Sequence, residues 1–161
     1  MGLSSNILWH QTTLDGLKGI LNEQGFFYSY SLESILSRES KNNLNVAFPM
    51  VSLCDLPFSE LNDYIKKYGG YLIGMKRTWG KSNGLAPVWY CDSESTILNA
   101  IIDRYNQIEV NIKNGKNFTI SREIFLYTLS HIKNYEGQLI AHDFNKYRFY
   151  DEREFRSVPR Y

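Results

Sequence analysis

Two short stretches of this chain bring together residue types that do chemistry. The first is His10-Gln11-Thr12. His10 and Thr12 stand two apart, so on an extended segment both side chains face one way. A helix expected to start just after them would offer amide N–H groups that favour anions. The second stretch is Tyr150-Asp151-Glu152-Arg153-Glu154-Phe155-Arg156. Read as a strand, it puts Glu152, Glu154 and Arg156 on one face and Asp151, Arg153 and Phe155 on the other. Adjacent carboxylates repel, a cost a protein accepts where they do work or where a cation such as Arg156 compensates them. Each stretch also has a plainer reading. Thr12 or Thr13 caps the helix and His10 is a partly buried strand residue, while the charged segment is a solvated edge strand whose charges oppose aggregation.

Two weaker candidates lie in the middle of the chain. Val51-Ser52-Leu53-Cys54-Asp55 sets one hydroxyl among apolar residues, where it bonds a backbone group or braces a carboxylate. Tyr64, Tyr68 and Tyr71 surround Gly69-Gly70, either as packing or as a ring-stacking platform. The chain has no G-x-x-x-x-G-K-[ST], G-x-G-x-x-G or H-E-x-x-H motif. His10, His131 and His142 are scattered, and neither Cys54 nor Cys91 has a partner at zinc-finger spacing, so no metal is expected.

The elements that must carry these residues follow from apolar spacing. Ile7 to His10 reads as a strand. Thr13 caps a helix with Leu14, Leu17, Ile20 and Leu21 on one face, stopped by Gly25. Phe26 to Tyr30 is extended, and Ser31 opens a short helix holding Leu32, Ile35 and Leu36. Lys41 to Asn45 is a polar loop. Pro49 argues against a strand in the first half of Val46 to Cys54, and Val51 to Cys54 is the better strand. Phe58, Leu61, Tyr64, Ile65 and Tyr68 mark a helix ending at Gly69-Gly70. Strands follow at Tyr71 to Lys76 and Pro87 to Cys91.

Ser95 then caps a helix lined by Ile97, Leu98, Ile101, Ile102 and Tyr105, and Asn114-Gly115 turns. A second helix starts near Ser121 with Ile124, Phe125, Thr128, Leu129 and Ile132 inward. Lys146 to Val158 is one long extended segment. Without regular βαβ alternation this is an α+β fold, built on small central antiparallel or mixed sheets with a helical insertion over about residues 94–135.

Composition limits the classes. A chain of 161 residues makes one domain, and at this size folding buries roughly 70% of the unfolded surface. Its 18 basic and 17 acidic residues give no sign of a polyanion binder. Aromatic residues reach 15%, which argues against disorder. Two cysteines are too few for a disulfide framework. No apolar run approaches a membrane span of roughly 18 residues, and Met1 to Asn6 lacks a signal-peptide layout. These features predict a soluble, reduced, cytoplasmic protein.

The segments also carry a resemblance. Leu8-Trp9-His10-Gln11-Thr12, followed by Leu17-x-x-Ile20-Leu21-x-x-x-Gly25, is similar to the opening of ADP-ribosyltransferase-like families of bacterial defence systems. Three further stretches resemble the AbiGi family of abortive phage resistance proteins: Phe48 to Pro57, Tyr68 to Gly74 with Lys76-x-x-Trp79-Gly80, and Tyr150 to Pro159. Together they span nearly the whole chain, from Leu8 to Pro159. AbiGi proteins are described as the antitoxin half of a phage-abortive pair. The resemblance therefore implies a phage-defence protein with a cognate toxin, antitoxin or phage protein as partner.

The ADP-ribosyltransferase likeness implies a single domain of that fold over residues 1–161 and NAD as substrate. ADP-ribose would pass to a protein or nucleic acid, or NAD would simply be hydrolysed. It implies that His10 contacts the NAD ribose, Thr12 steadies the same loop and Ser52 orients the catalytic Glu154. Glu152 positions the acceptor, and Tyr68 or Tyr71 stacks on nicotinamide. The chain departs from that pattern by offering Ser52-Leu53-Cys54 where Ser-Thr-Ser is common, and by ending at Tyr161 soon after the catalytic strand. Two readings stand. An NAD-dependent enzyme predicts that His10, Ser52 and Glu154 converge in one cleft, and that Glu154→Gln leaves folding nearly unchanged. A non-catalytic antitoxin or sensor predicts a cleft filled by side chains such as Tyr28 or Tyr147, with the aromatic surplus exposed as a patch.

Overall fold

The computed structural model describes residues 6–37, 43–68, 70–139 and 144–159; Lys41 and His142 lie outside them. The first strand, β1 (Ile7–Thr12), leads into α1 (Leu14–Glu23) through Thr13, whose hydroxyl accepts from the Gly16 amide. Leu17, Ile20 and Leu21 recur as expected, but the helix closes on Gln24 in the left-handed region (φ 52°), one residue before Gly25.

β2 (Ser29–Leu36) and β3 (Asn43–Cys54) then form a long antiparallel hairpin, from Ser29↔Met50 to Leu36↔Asn43. This corrects the helix expected after Ser31. Glu33 and Ile35 are buried while Leu32 and Ser34 are exposed, so the segment alternates inward and outward as a strand. It also corrects the reading of Pro49. That residue falls where β3 pairs with β2 alone, and such one-sided stretches tolerate the missing N–H.

Beyond Val51 the same strand enters the central sheet. Its order is β4 (Tyr71–Lys76), β1, β3, β10 (Glu154–Ser157) and β5 (Ala86–Pro87), and β2 pairs with β3 off that path. β4 (Tyr71–Lys76) runs antiparallel to β1 along its whole length, and β10 (Glu154–Ser157) pairs with Val51–Cys54. Between β3 and β4 lie a 3-10 turn (Phe58–Glu60) and α2 (Leu61–Tyr68). The short helix α3 (Arg77–Ser82), with Gly80 against Leu8 and Leu85, follows β4 and has no counterpart in the sequence expectations.

The expected strand at Pro87 to Cys91 is two strands. β5 (Ala86–Pro87) closes the central sheet, and β6 (Trp89–Cys91) turns away to pair in parallel with β7 (Ile132–Asn134). Between β6 and β7 stand α4 (Thr96–Lys113), capped by Ser95, and α5 (Thr119–Leu129). Ile124, placed inward by spacing, is 61% exposed, and Ile132 belongs to β7. The remaining strands, β8 (Gly137–Leu139) and β9 (Phe144–Tyr147), form a small antiparallel pair.

The core has three parts. Phe48, Met50 and Ile35 of the hairpin pack on Leu98, Ile102 and Leu129 of the helical pair. Leu8, Val51, Leu53 and Leu85 fill the other face of the sheet beside Trp79. Cys54, Leu56 and Leu61 seat α2. The result is an α+β chain around an antiparallel sheet. Among the described residues no helix is long and apolar enough to cross a membrane.

Candidate functional site: a charged cleft between two strand pairs

The registers of β3 and β10 build the floor of the site. Cys54 faces Glu154, and Ser52 faces Arg156. Partners across an antiparallel pair share a face, so these four residues form one patch. Glu152 does not extend it as a strand residue. The chain from Phe149 to Glu152 is a 3-10 turn, and Arg153 adopts φ 46° before β10 begins. The expected single extended segment is therefore interrupted, yet the turn still brings Glu152 to the floor, where it lines the same cleft as Glu154.

That cleft has a volume of about 540 Å3, within the roughly 300–1,000 Å3 of small-molecule sites. His10, Thr12, Ser52, Glu152 and Glu154 all line it, joined by Gly16 and Gly19 of α1, Phe26 and Phe27, and Lys133. Tyr71 does not: it sits opposite Thr12 on the outer strand β4. Tyr68 ends α2, and its side chain lies outside the described residues. Tyr64 of the same helix does line the cleft. Tyr28 and Tyr147 do not fill it; the Tyr28 hydroxyl is 3.1 Å from Ser157 Oγ instead.

Electrostatics dominate the floor. Arg156 is fully buried. It donates Nε to Glu154 Oε1 at 2.7 Å and Nη2 to Glu154 Oε2 at 3.0 Å, a two-pronged grip. The same Nη2 reaches Glu33 Oε1 at 2.7 Å, and Nη1 donates to the Ser130 carbonyl at 2.8 Å. Lys133 donates to Glu152 Oε2 and Glu154 Oε2, each at 3.0 Å, with its Nζ 4.9 Å from the Phe149 ring centre.

Burial alone would push the Glu154 carboxyl up. Lys133, Arg156 and a hydrogen bond from Ser52 outweigh it and hold Glu154 well below the usual carboxylate range. Burial pushes Glu33 up against the pull of Arg156 and Lys133. Burial also raises the Cys54 thiol, assisted by Glu154 and Glu152; its Sγ donates to the Tyr64 hydroxyl at 2.8 Å.

His10 forms part of the wall. Its Nδ1 lies 2.9 Å from the Ser52 carbonyl. A carbonyl only accepts, so Nδ1 carries the proton and Nε2 is the acceptor of the neutral ring. Burial lowers the His10 pKa, against the effect of that bond. Phe26 meets the imidazole edge-on at 5.0 Å between ring centres.

Sequence reasoning missed Lys133, Glu33 and the role of Arg156 as a buried hub. The local signals were Arg156 on the strand face it shares with Glu154, a single acidic residue between Ser31 and Ile35, and a lone Lys between Ile132 and Asn134.

No solved structure matches the chain. An abortive phage resistance protein AbiGi from Lactococcus lactis subsp. cremoris is 25% identical over 153 residues, a match covering 83% of this chain. The chain spans about 60% of that relative's length. The family described as "Putative abortive phage resistance protein AbiGi, antitoxin" matches residues 24–161, from the end of α1 through the hairpin, the helical pair and the charged floor; the chain belongs to the AbiGi family.

Proposed function

We propose that this chain serves phage defence as the antitoxin member of an abortive-infection pair, acting by binding a partner protein. The observation that carries this reading is the state of Glu154. One of its oxygens takes Arg156 Nε and the other takes Arg156 Nη2 and Lys133, so the carboxylate is committed to holding the fold. The family description, which names an antitoxin, supports the same reading. So does the outer face of the hairpin, where Tyr30 is 77% and Leu32 69% exposed on neighbouring outward positions of β2. An exposed aromatic and an exposed aliphatic side chain on one face suit protein contact. The test is co-expression with the growth-arresting partner of the pair. Growth is restored by the unmodified chain and less well by Tyr30→Asp with Leu32→Asp. Failure of the unmodified chain to restore growth counts against the reading.

A second reading has its own observation: His10, Ser52 and Glu154 line one open cleft. In it the chain has an ADP-ribosyltransferase-like fold and takes NAD as substrate. The bond between ribose C1′ and the nicotinamide nitrogen breaks, and its electron pair leaves with nicotinamide. Water or an acceptor group on a protein or nucleic acid then attacks C1′ and gives up a proton. Glu154 stabilises the positive charge that develops on the ribose, an effect typically worth about 10² to 10³ in rate. Ser52 orients Glu154, Glu152 positions the acceptor, and His10 and Thr12 hold the ribose. The start of α1 offers its positive end to the pyrophosphate. Labelled NAD incubated with the purified protein tests this reading. Nicotinamide release without any partner supports it, and neither release nor binding by calorimetry removes it.

A further inference from the structure

The helical pair α4–α5 delivers one charged side chain to the cleft. β7 emerges from α5 and is fixed beside β6, with Trp89 N donating to the His131 carbonyl and Tyr135 N to the Cys91 carbonyl, both at 2.7 Å. In that parallel pair Tyr90 stands opposite Lys133. The two grip the same residue from different sides: the Glu154 amide donates to the Tyr90 hydroxyl at 2.8 Å, and Lys133 Nζ donates to the Glu154 carboxylate at 3.0 Å. Asn134, next in the strand, binds both backbone groups of Leu36, through Oδ1 at 2.8 Å and Nδ2 at 2.9 Å. The Lys133 main chain is thus pinned on both sides.

We infer that Lys133 is a positioning residue of the cleft: it holds Glu154 and Glu152 side by side and sets the charge that a bound ligand meets. Three carboxylates, Glu33, Glu152 and Glu154, converge there against two cations, Lys133 and Arg156. With these groups ionised the floor carries one net negative charge. It suits a ligand group that bears positive charge or acquires it during reaction. Arg156 is fully buried behind the floor, whereas Lys133 lines the cleft. Lys133 is therefore the cation of this cluster that reaches the cleft surface, beside the carboxylates that line it. The inference rests on the second reading, in which the cleft holds a ligand.

The experiment follows the Glu154 carboxyl carbon by NMR through a pH titration in the unmodified protein, Lys133→Met and Lys133→Arg. Groups facing it from every side (Glu33, Glu152, Arg156, Tyr90 and Cys54) remain in all three. Loss of Lys133 shifts the Glu154 midpoint upward by about one pH unit or more, the usual effect of removing an adjacent opposite charge, and Lys133→Arg restores it. A lysine that acted only by packing on the Phe149 ring would change stability without moving that midpoint. Unchanged titration in Lys133→Met overturns the inference. If Lys133→Met does not fold, Lys133→Gln, which keeps a donor and loses the charge, gives the same decision. NAD calorimetry on the unmodified protein runs in parallel. Absence of NAD binding with a shifted midpoint removes the second reading and leaves Lys133 as the residue that sets the floor's charge.

Discussion

Arg156 and Glu33 are 123 positions apart in the chain, yet Nη2 of the guanidinium lies 2.7 Å from Glu33 Oε1, joining the last strand to the outer hairpin. Arg156 is fully buried and Glu33 nearly so at the cleft wall, so the pair is only weakly screened by solvent. Removing one member of such a pair is far costlier than the net worth of the pair, because the other charge stays buried alone. Arg156→Met leaves Glu33 without its cation and Glu154 with Lys133 alone. It is expected to lose about 3–5 kcal/mol, read as a lower urea midpoint. Glu33→Gln keeps an oxygen acceptor and leaves Arg156 still paired with Glu154, so it is expected to cost only about 1 kcal/mol.

Glu154→Gln is no longer expected to be neutral. The expectation of a near-silent change treated Glu154 as a surface charge, whereas it is 5% exposed and bonded to both Arg156 and Lys133. The amide keeps the shape but turns an NH2 donor toward the N–H groups of Arg156 and Lys133 and removes the charge that both bonds rely on. Destabilisation of about 3 kcal/mol or more is expected. An activity loss in this variant therefore needs a folding measurement beside it before it speaks for catalysis. Thermal unfolding with a Tm within a degree of the unmodified protein would show that the ion pairs contribute little.

Stability should fall in two steps on acidification. The folded His10 pKa lies below its ordinary 6.5 because of burial. Its contribution is complete above pH 6.5 and is lost as pH falls through the folded value, since the unfolded chain takes up the proton first. Glu154 behaves likewise lower down: its contribution is complete above the ordinary 4.5 and is lost as pH falls through its depressed folded value. His10→Gln should flatten the upper step and leave the lower one. Parallel curves for the two proteins just below pH 6.5 would show that His10 gains no such protection.

How far these features were legible depends on how local their causes are. β1, Thr13 and α1 could be read because a cap and its apolar stripe lie within a dozen residues. β2 was misread because Leu32, Ile35 and Leu36 also fit helical spacing, and only pairing with β3 decides for the strand. α3 went unseen because it has six residues, no side-chain cap and a Gly inside. His10, Ser52 and Glu154 were legible as residue types, and Arg156 as the cation on the same strand face as Glu154, but Lys133 was not. Lys133 reaches Glu154 through the parallel β6–β7 pair, and nothing in the residues around position 133 specifies that pairing.

Two glycines of α1 separate space from backbone preference. A methyl group added at Gly19 meets nothing nearby, whereas one at Gly16 runs into the Thr12 hydroxyl. Alanine is favoured over glycine inside a helix by about 0.5–1 kcal/mol. Gly19→Ala should therefore raise the urea midpoint. Gly16→Ala should not, because Thr12 must turn aside. As Thr12, Gly16 and Gly19 all line the cleft, both variants also narrow it. A ligand seated against α1 would bind each more weakly despite their opposite effects on stability.

The bond between Asn134 and Leu36 offers the most local test of how the helical pair is anchored. The Asn134 side chain replaces a strand neighbour: Oδ1 accepts from the Leu36 amide, and Nδ2 donates to its carbonyl. Asn134→Ala removes both partners at once and leaves two backbone groups unpaired where β7 meets the hairpin. Each unpaired buried group costs about 1–3 kcal/mol, so a loss of a few kcal/mol is expected. The earliest sign should be faster hydrogen exchange at the Leu36 amide, before any change at Leu53 in the centre of the sheet. Because β7 also carries Lys133, the loosened strand should raise the Glu154 titration midpoint in the same direction as Lys133→Met, by a smaller amount. Faster exchange at Leu36 with an unmoved Glu154 midpoint would mean that the β6 ladder alone suffices to hold Lys133 in place.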